Sequence, residues 1–203
     1  MRAFHLMIVF SALACIAGAQ ARGGRGGRGG AAVQTMTLIT TAWPDGGMIP
    51  LRYTQEGPEI SPAIQWSGAP NGIASYVLTF VDADTVVNNS TQGFLHWMVW
   101  NIPGTATGIA QARPDGFEME DGMRQISVSG SRYRGPGAPA AGPLHHYVMQ
   151  LYALDTQIDV KIPPQGPQEP NPNVQQIREQ IFKEMTGHIR AKAAYVGLFH
   201  RTD

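Results

Sequence analysis

Apolar positions along the chain follow two rhythms. Tyr76 to Val81, Leu95 to Trp100 and Tyr147 to Leu154 are short runs of β-branched, aromatic and aliphatic residues, the composition of central strands. Thr37-Leu38-Ile39-Thr40 begins another extended segment, and Trp43-Pro44-Asp45-Gly46-Gly47 ends it as a turn. The period changes only near the C-terminus, where Val174, Ile177, Ile181, Met185 and His188/Ile189 recur at helical spacing. Asn173 can cap that helix, Gln176 can complete a capping box, and Gly187 weakens its last turn. The pattern predicts a mainly β fold, an antiparallel two-sheet β-sandwich with one C-terminal helix packed against a sheet edge or end.

Composition supports a folded body. The chain has 203 residues, 43% hydrophobic and 15% charged, enough for one domain with a sizeable core and unlike a disordered chain or a charged coiled coil. Net charge is zero, yet all 15 acidic residues lie beyond residue 30, while Arg2, Arg22, Arg25 and Arg28 lie before it. Residues 31–203 therefore carry a net charge of −4 and no Lys/Arg cluster, which argues against nucleic acid as a partner.

The first 21 residues read as a signal peptide. Arg2 supplies the positive start, Leu6 to Ile16 a short apolar run, and Ala17-Gly18-Ala19 or Ala19-Gln20-Ala21 the small residues of a cleavage site. The apolar run is too short to span a bilayer comfortably, so the mature chain is not expected to cross a membrane. Cys15 is the only cysteine, and Ala12-Leu13-Ala14 before it matches a lipoprotein box poorly, so lipid anchoring is not expected. Residues 22–34, with three arginines among glycines, read as a flexible spacer. One domain follows, residues 35–203, and a periplasmic or secreted location is expected.

Three clusters could carry chemistry. Asp82 and Asp84 follow an apolar strand; in extended backbone both carboxylates would face one side, raising the pKa of at least one, though a solvated turn fits the spacing equally. Strict alternation puts His96 with Met98 and Trp100, opposite Leu95, Trp97 and Val99, as either a hydrogen-bonded core residue or a pocket ligand. The Gly/Pro loop from Gly135 and Pro136 to Pro143 runs into His145-His146-Tyr147. Its backbone N–H groups could cradle an anion, His145 and Tyr147 would share a face, and His146 would point away.

These clusters also carry a resemblance. Asp45-Gly46-Gly47-Met48-Ile49-Pro50, Gly57 with Ser61-Pro62, Trp66, Val81 to Asp84, His96-Trp97, Gly135 to Tyr147, Leu151 to Asp155, the helix through Ile189, and Gly197 to Arg201 occur in the order found in the phosphatidylethanolamine-binding protein family. The chain is most similar to its secreted or periplasmic, Raf-kinase-inhibitor-like bacterial branch. The resemblance implies a β-sandwich with a small anion-binding pocket lined by Asp82, Asp84, His96, His145 and Tyr147, with Gly135 and Pro136 shaping its rim. It also implies phosphate-like ligands and, for some members, inhibition of kinases or proteases. The family's Asp-Pro-Asp-Ala-Pro is Asp82-Ala83-Asp84-Thr85-Val86 here, and the usual arginine after the loop histidine is His146.

A binding protein for a small anionic or phosphorylated ligand is the expectation, with no cofactor and with a protein partner possible. Two other classes compete. A hydrolase could divide acid and base roles between Asp82 and Asp84, although no nucleophile elbow, P-loop or HExxH helix is present. A metal site could draw on Asp82, Asp84, His96 and His145, although they lack compact ligand spacing.

Overall fold

A computed structural model describes residues 34–119, 121–163, 166–170 and 172–202. The expected signal peptide, Cys15 and the spacer lie outside them, except Gln34, which opens the first strand. Ten strands occur among the described residues: β1 (Gln34–Thr35), β2 (Thr37–Ile39), β3 (Gly47–Met48), β4 (Ile64–Ser67), β5 (Ser75–Asp82), β6 (Phe94–Pro103), β7 (Gly108–Ile109), β8 (Arg124–Ile126), β9 (His145–Leu154) and β10 (Ile189–Phe199). One α-helix, α1 (Val174–Met185), precedes β10, and a single 3-10 turn spans Leu51–Tyr53 among the described residues. The main sheet runs β1-β10-β9-β5-β6-β8, with β3 also paired to β10, and the small sheet runs β2-β4-β7. This is the expected two-sheet sandwich.

The main sheet is covered on both faces, which explains why every residue of β5 is buried. On the inner face Leu78, Phe80, Trp97, Met149 and Leu151 meet Leu38, Ile64, Trp66 and Ile109 of the small sheet. On the outer face Val77, Val81, Leu95, Met98 and Trp100 meet Val174, Ile177, Ile181 and Met185 of α1. The helix therefore lies across the face of the central strands rather than at a sheet edge or end. The reason is the uninterrupted apolar run of β5, whose second face needs a cover as much as its first.

Two boundaries differ from the periodicity. Asn173 stands at the N-cap of α1, but its side chain makes no capping hydrogen bond there. The helix ends at Met185, Gly187 takes a left-handed φ of 87°, and Ile189 begins β10 instead of continuing the helix. β10 is the long strand that propensity did not reveal, because its inward positions include the alanines Ala191 and Ala193, which are poor strand formers.

Ile181 is fully buried in the seam between α1 and the sheet. Ile181→Ala is expected to lower stability by about 3 kcal/mol through lost burial and a residual cavity. Urea unfolding checks this: the midpoint should fall while the slope stays the same.

Candidate ligand-binding site

The site forms where β5, β6 and β9 end side by side and the chain returns through the loop before β9. A β-bulge sets its geometry. Phe80 pairs with Trp97, but the next residue, Val81, pairs with Leu95, so His96 is an extra residue on β6. The bulge breaks strict alternation. His96 turns to the inner face, where its ring meets Phe80 at 5.9 Å and Tyr147 at 5.1 Å, while Leu95, Met98 and Trp100 pack on the outer face. The expected pairing of His96 with Met98 and Trp100 is thus corrected.

His96 is 3% exposed, and its Nδ1 lies 3.1 Å from the Arg134 carbonyl and 3.0 Å from that of Gly135. Carbonyl oxygens only accept, so Nδ1 carries the proton and Nε2 is left as a lone-pair acceptor on the cavity side. Burial pushes the imidazole down to about 4, despite the opposing pull of the Arg134 carbonyl and the Asp82 charge.

Asp82 ends β5 and is buried. Its Oδ1 accepts the backbone N–H groups of Asp84 and Thr85 at 3.0 and 3.1 Å. Its Oδ2 accepts the Thr85 hydroxyl at 2.8 Å and His145 Nδ1–H at 2.7 Å. Four donors fill the carboxylate, so Asp82 positions the turn and His145 and has no lone pair left for acid–base work.

The same turn separates the two aspartates. The strand ends at Asp82 and the chain bends, so Asp84 swings outward, where its Oδ2 accepts the backbone N–H of His146 at 2.6 Å and meets His146 Nδ1 at 3.0 Å. That backbone N–H holds the Asp84 carboxyl below its ordinary range, the reverse of the elevation expected for a shared acid pair. Asp84 does not line the cavity.

His145 and Tyr147 do share the cavity face, and His146 points away. The Tyr147 hydroxyl accepts N–H from Gly137 at 3.2 Å and Ala138 at 3.0 Å. The Gly135 N–H goes to Glu59 Oε1 at 3.1 Å. These loop donors serve the protein's own oxygens and do not cradle an anion. Burial, then the charge of Asp82, raises the Tyr147 phenol to about 12, so it stays protonated and can donate.

Gly135 and Pro136 stand behind the cavity wall rather than on its rim. A Cβ on Gly135 would sit 2.7 Å from Thr54 Cα, and this close approach lets the Gly135 carbonyl reach both His96 and Gln55 Nε2, the latter at 2.8 Å.

The cavity measures about 150 Å³ and is lined by Asp82, Thr85, His96, His145, Tyr147 and the loop, together with Gln55, Phe94 and Arg134. Arg134 is the cation that sequence reasoning missed. Its guanidinium donates to Ser129 Oγ and, at 3.3 Å, to Gln55 Oε1, and it lies 5.9 Å from the Phe94 ring. Desolvation lowers its pKa from the ordinary arginine value. Its position directly before Gly135-Pro136 was the available signal; Gln55, more than 70 residues distant in the chain, offered none.

A larger groove of about 520 Å³ on the small sheet, between β4 and β7, carries no ionisable side chain and is not the chemical site. Among the described residues no group of three or more His, Cys, Asp or Glu is placed to hold a metal ion. Asp84 turned outward and His96 Nδ1 tied to carbonyls break up the set that sequence suggested.

Comparison with known proteins agrees with this architecture. The family model described as phosphatidylethanolamine-binding protein matches residues 39–200. The chain belongs to the phosphatidylethanolamine-binding protein family. A UPF0098 protein of Methanothermobacter thermautotrophicus is 36% identical over 168 residues, covering 82% of this chain and 99% of that one. A crystal structure described as a putative phosphatidylethanolamine-binding protein homologue from Chlamydia trachomatis is 26% identical, with a TM-score of 0.65, and covers 83% of this chain and 99% of its own. Escherichia coli YbcL, 21% identical with a TM-score of 0.61, shares the fold, over 82% of this chain and 99% of its own. Membership of this family implies ligand binding.

Two outcomes test the site's construction. His96 is held neutral to about pH 4 when folded against an ordinary 6.5, so between these values the unfolded chain binds more protons. Stability from this group is complete above pH 6.5 and lost as pH falls toward 4, by about 3 kcal/mol. Urea unfolding in phosphate-free buffer at pH 7, 5.5 and 4 should show a steeper loss for wild type than for His96→Gln; parallel curves would refute the assignment. Tyr147→Phe leaves the Gly137 and Ala138 N–H groups without their acceptor and is expected to cost about 1–3 kcal/mol. Faster amide hydrogen exchange at those two positions is its specific signature.

Proposed function

We propose that the protein binds a small phosphorylated ligand in this cavity, as a monoanion that still carries one acidic proton. The observation that supports this most is the set of groups that can turn hydrogen-bonding capacity to a ligand: the Arg134 guanidinium, the Tyr147 hydroxyl, whose proton also lies near the Asp82 carboxylate, and the Nε2 atoms of His96 and His145. Both histidines use Nδ1–H elsewhere, so Nε2 is the ring nitrogen each has left for a ligand, and on the buried His96 ring it is a lone pair. Arg134 and Tyr147 offer donors. An anionic oxygen answers the donors, and a P–OH group answers an imidazole lone pair.

Size supports the same class. At about 150 Å³ the cavity lies below the roughly 300–1,000 Å³ of drug-sized ligand pockets, in keeping with a small headgroup-like molecule. The mostly polar lining favours a headgroup over an acyl chain as the part held in the cavity. The expected imidazolium route is revised for His96, whose ring stays neutral at pH 6. The pH dependence comes instead from the ligand, whose second phosphate pKa lies near 6.

The paired-acid hydrolase reading loses its basis, since Asp82 is saturated and Asp84 faces outward. Action outside the cytoplasm is proposed on the leader-like residues Arg2, Leu6 to Ile16 and Ala17-Gly18-Ala19.

Calorimetric titration of the purified protein with phosphoethanolamine and with inorganic phosphate, at pH 6 and pH 8, tests the reading. Saturable binding is expected, about tenfold or more tighter for phosphoethanolamine at pH 6, and at least about tenfold weaker in Arg134→Gln. No saturable binding at either pH, or binding indifferent to Arg134→Gln, would reject it.

A further inference from the structure

A second cavity lies on the opposite face of the same sheet end. Asp82 and Tyr147 pair across β5 and β9 and face the first cavity; their neighbours Val81 and Val148 also pair and face the other way. This second cavity, about 340 Å³, is closed on its far side by α1 through Arg178 and Phe182, and Gln92 and Gln150 also line it. A single layer of backbone separates the two.

Arg178 is the unusual feature. It is 4% exposed, yet among the described residues no carboxylate lies within salt-bridge reach of it. A buried guanidinium normally has an anionic partner, because an uncompensated charge away from water is costly. Its Nη1 reaches only the Gly93 carbonyl, at a long 3.4 Å, and its Nε is enclosed without a partner. The Phe182 ring lies 5.3 Å away and supplies a cation–π contact. Among the described residues Nη2 has no hydrogen-bond partner, and Arg178 lines the cavity. Burial lowers the arginine's pKa, and Glu179, the one carboxylate that acts on it, is exposed and accepts from Gln92 Nε2 at 3.1 Å.

The neighbouring groups define what would complete the site. Gln150 Oε1 accepts the Tyr152 hydroxyl at 3.0 Å, which leaves the Gln150 amide N–H groups as donors. Gln92 Oε1 is a further enclosed polar atom without a partner. Val81, Val148 and Phe182 provide apolar wall. The volume falls within the range of small-molecule pockets, with an apolar lining and a few polar groups.

We propose that this cavity is a second binding site, for a small carboxylic acid with an apolar body, its carboxylate held by Arg178 and Gln150. The planar guanidinium matches a carboxylate, and the ligand supplies the counter-charge the protein itself does not. Val81, Val148 and Phe182 take the hydrocarbon part. The site is independent of the phosphate cavity, since the two draw their side chains from opposite faces of the sheet.

Sodium hexanoate, with hexanamide as its neutral counterpart, is the probe for calorimetric titration of the purified protein. Wild type should bind hexanoate saturably, with Kd in the millimolar range or below, and hexanamide at least about tenfold more weakly. Arg178→Met keeps the apolar stem and removes the charge, and Val148→Phe fills the cavity; each should weaken hexanoate by about tenfold or more. His96→Ala should leave it within about twofold, since that ring lies in the other cavity. Absence of saturable hexanoate binding to wild type, equal affinity for hexanamide, or binding lost in His96→Ala and kept in Arg178→Met would each overturn the assignment. Should Arg178→Met fail to fold, Val148→Phe and hexanamide still decide.

Discussion

A carboxylate buried at the end of a strand has to be hydrogen-bonded to capacity, and at Asp82 that demand organises everything around it. Two of its four donors are backbone N–H groups that bend the chain immediately after β5. A third is the Thr85 hydroxyl, which locks the turn. The fourth is His145 Nδ1–H, which ties β5 to the start of β9 and fixes the tautomer of that imidazole. Asp84 is thrown outward by the same bend and takes up His146 on the far side. A residue that looks like half of an acid pair is a structural keystone, and the two histidines that follow the loop are divided between two surfaces.

The second constraint is that the main sheet has no solvent-facing side at its centre. Small-sheet residues cover one face and α1 the other. A polar side chain that faces either layer at this end of the sheet is therefore enclosed, as His96 and Arg178 are, while Asp84 and His146 escape to the surface. His96 reaches the inner cavity only because a bulge adds one residue to β6; Arg178 reaches the outer one from α1. Both groups have lowered pKa values for the same first reason, desolvation. Their consequences differ, since His96 becomes neutral at working pH and a guanidinium stays charged.

The loop before β9 is rigid for reasons that also use up its donors. Tyr147 receives two of its N–H groups, Glu59 a third, and its Gly135 and Pro136 carbonyls bind His96 and Gln55. The loop thus serves as a wall that holds the cavity open. The positive charge at the cavity comes from Arg134, just upstream of it.

Sequence alone determined the sandwich, the central strands, the C-terminal helix and the inward placement of His145 and Tyr147, because burial imposes a period that can be read along the chain. Family membership was legible too, through motifs in fixed order. It could not show β10, where alanines conceal a buried strand, or the helix lying on a face instead of an edge. It misplaced Asp84 and the neighbours of His96, because alternation holds only while the strand stays regular, and a turn and a bulge each break it by one residue. Arg134, Gln55 and Arg178 acquired meaning only in three dimensions. Which donor meets which acceptor, and which charge is left without one, depends on contacts between segments far apart in the chain, and no local period encodes those contacts.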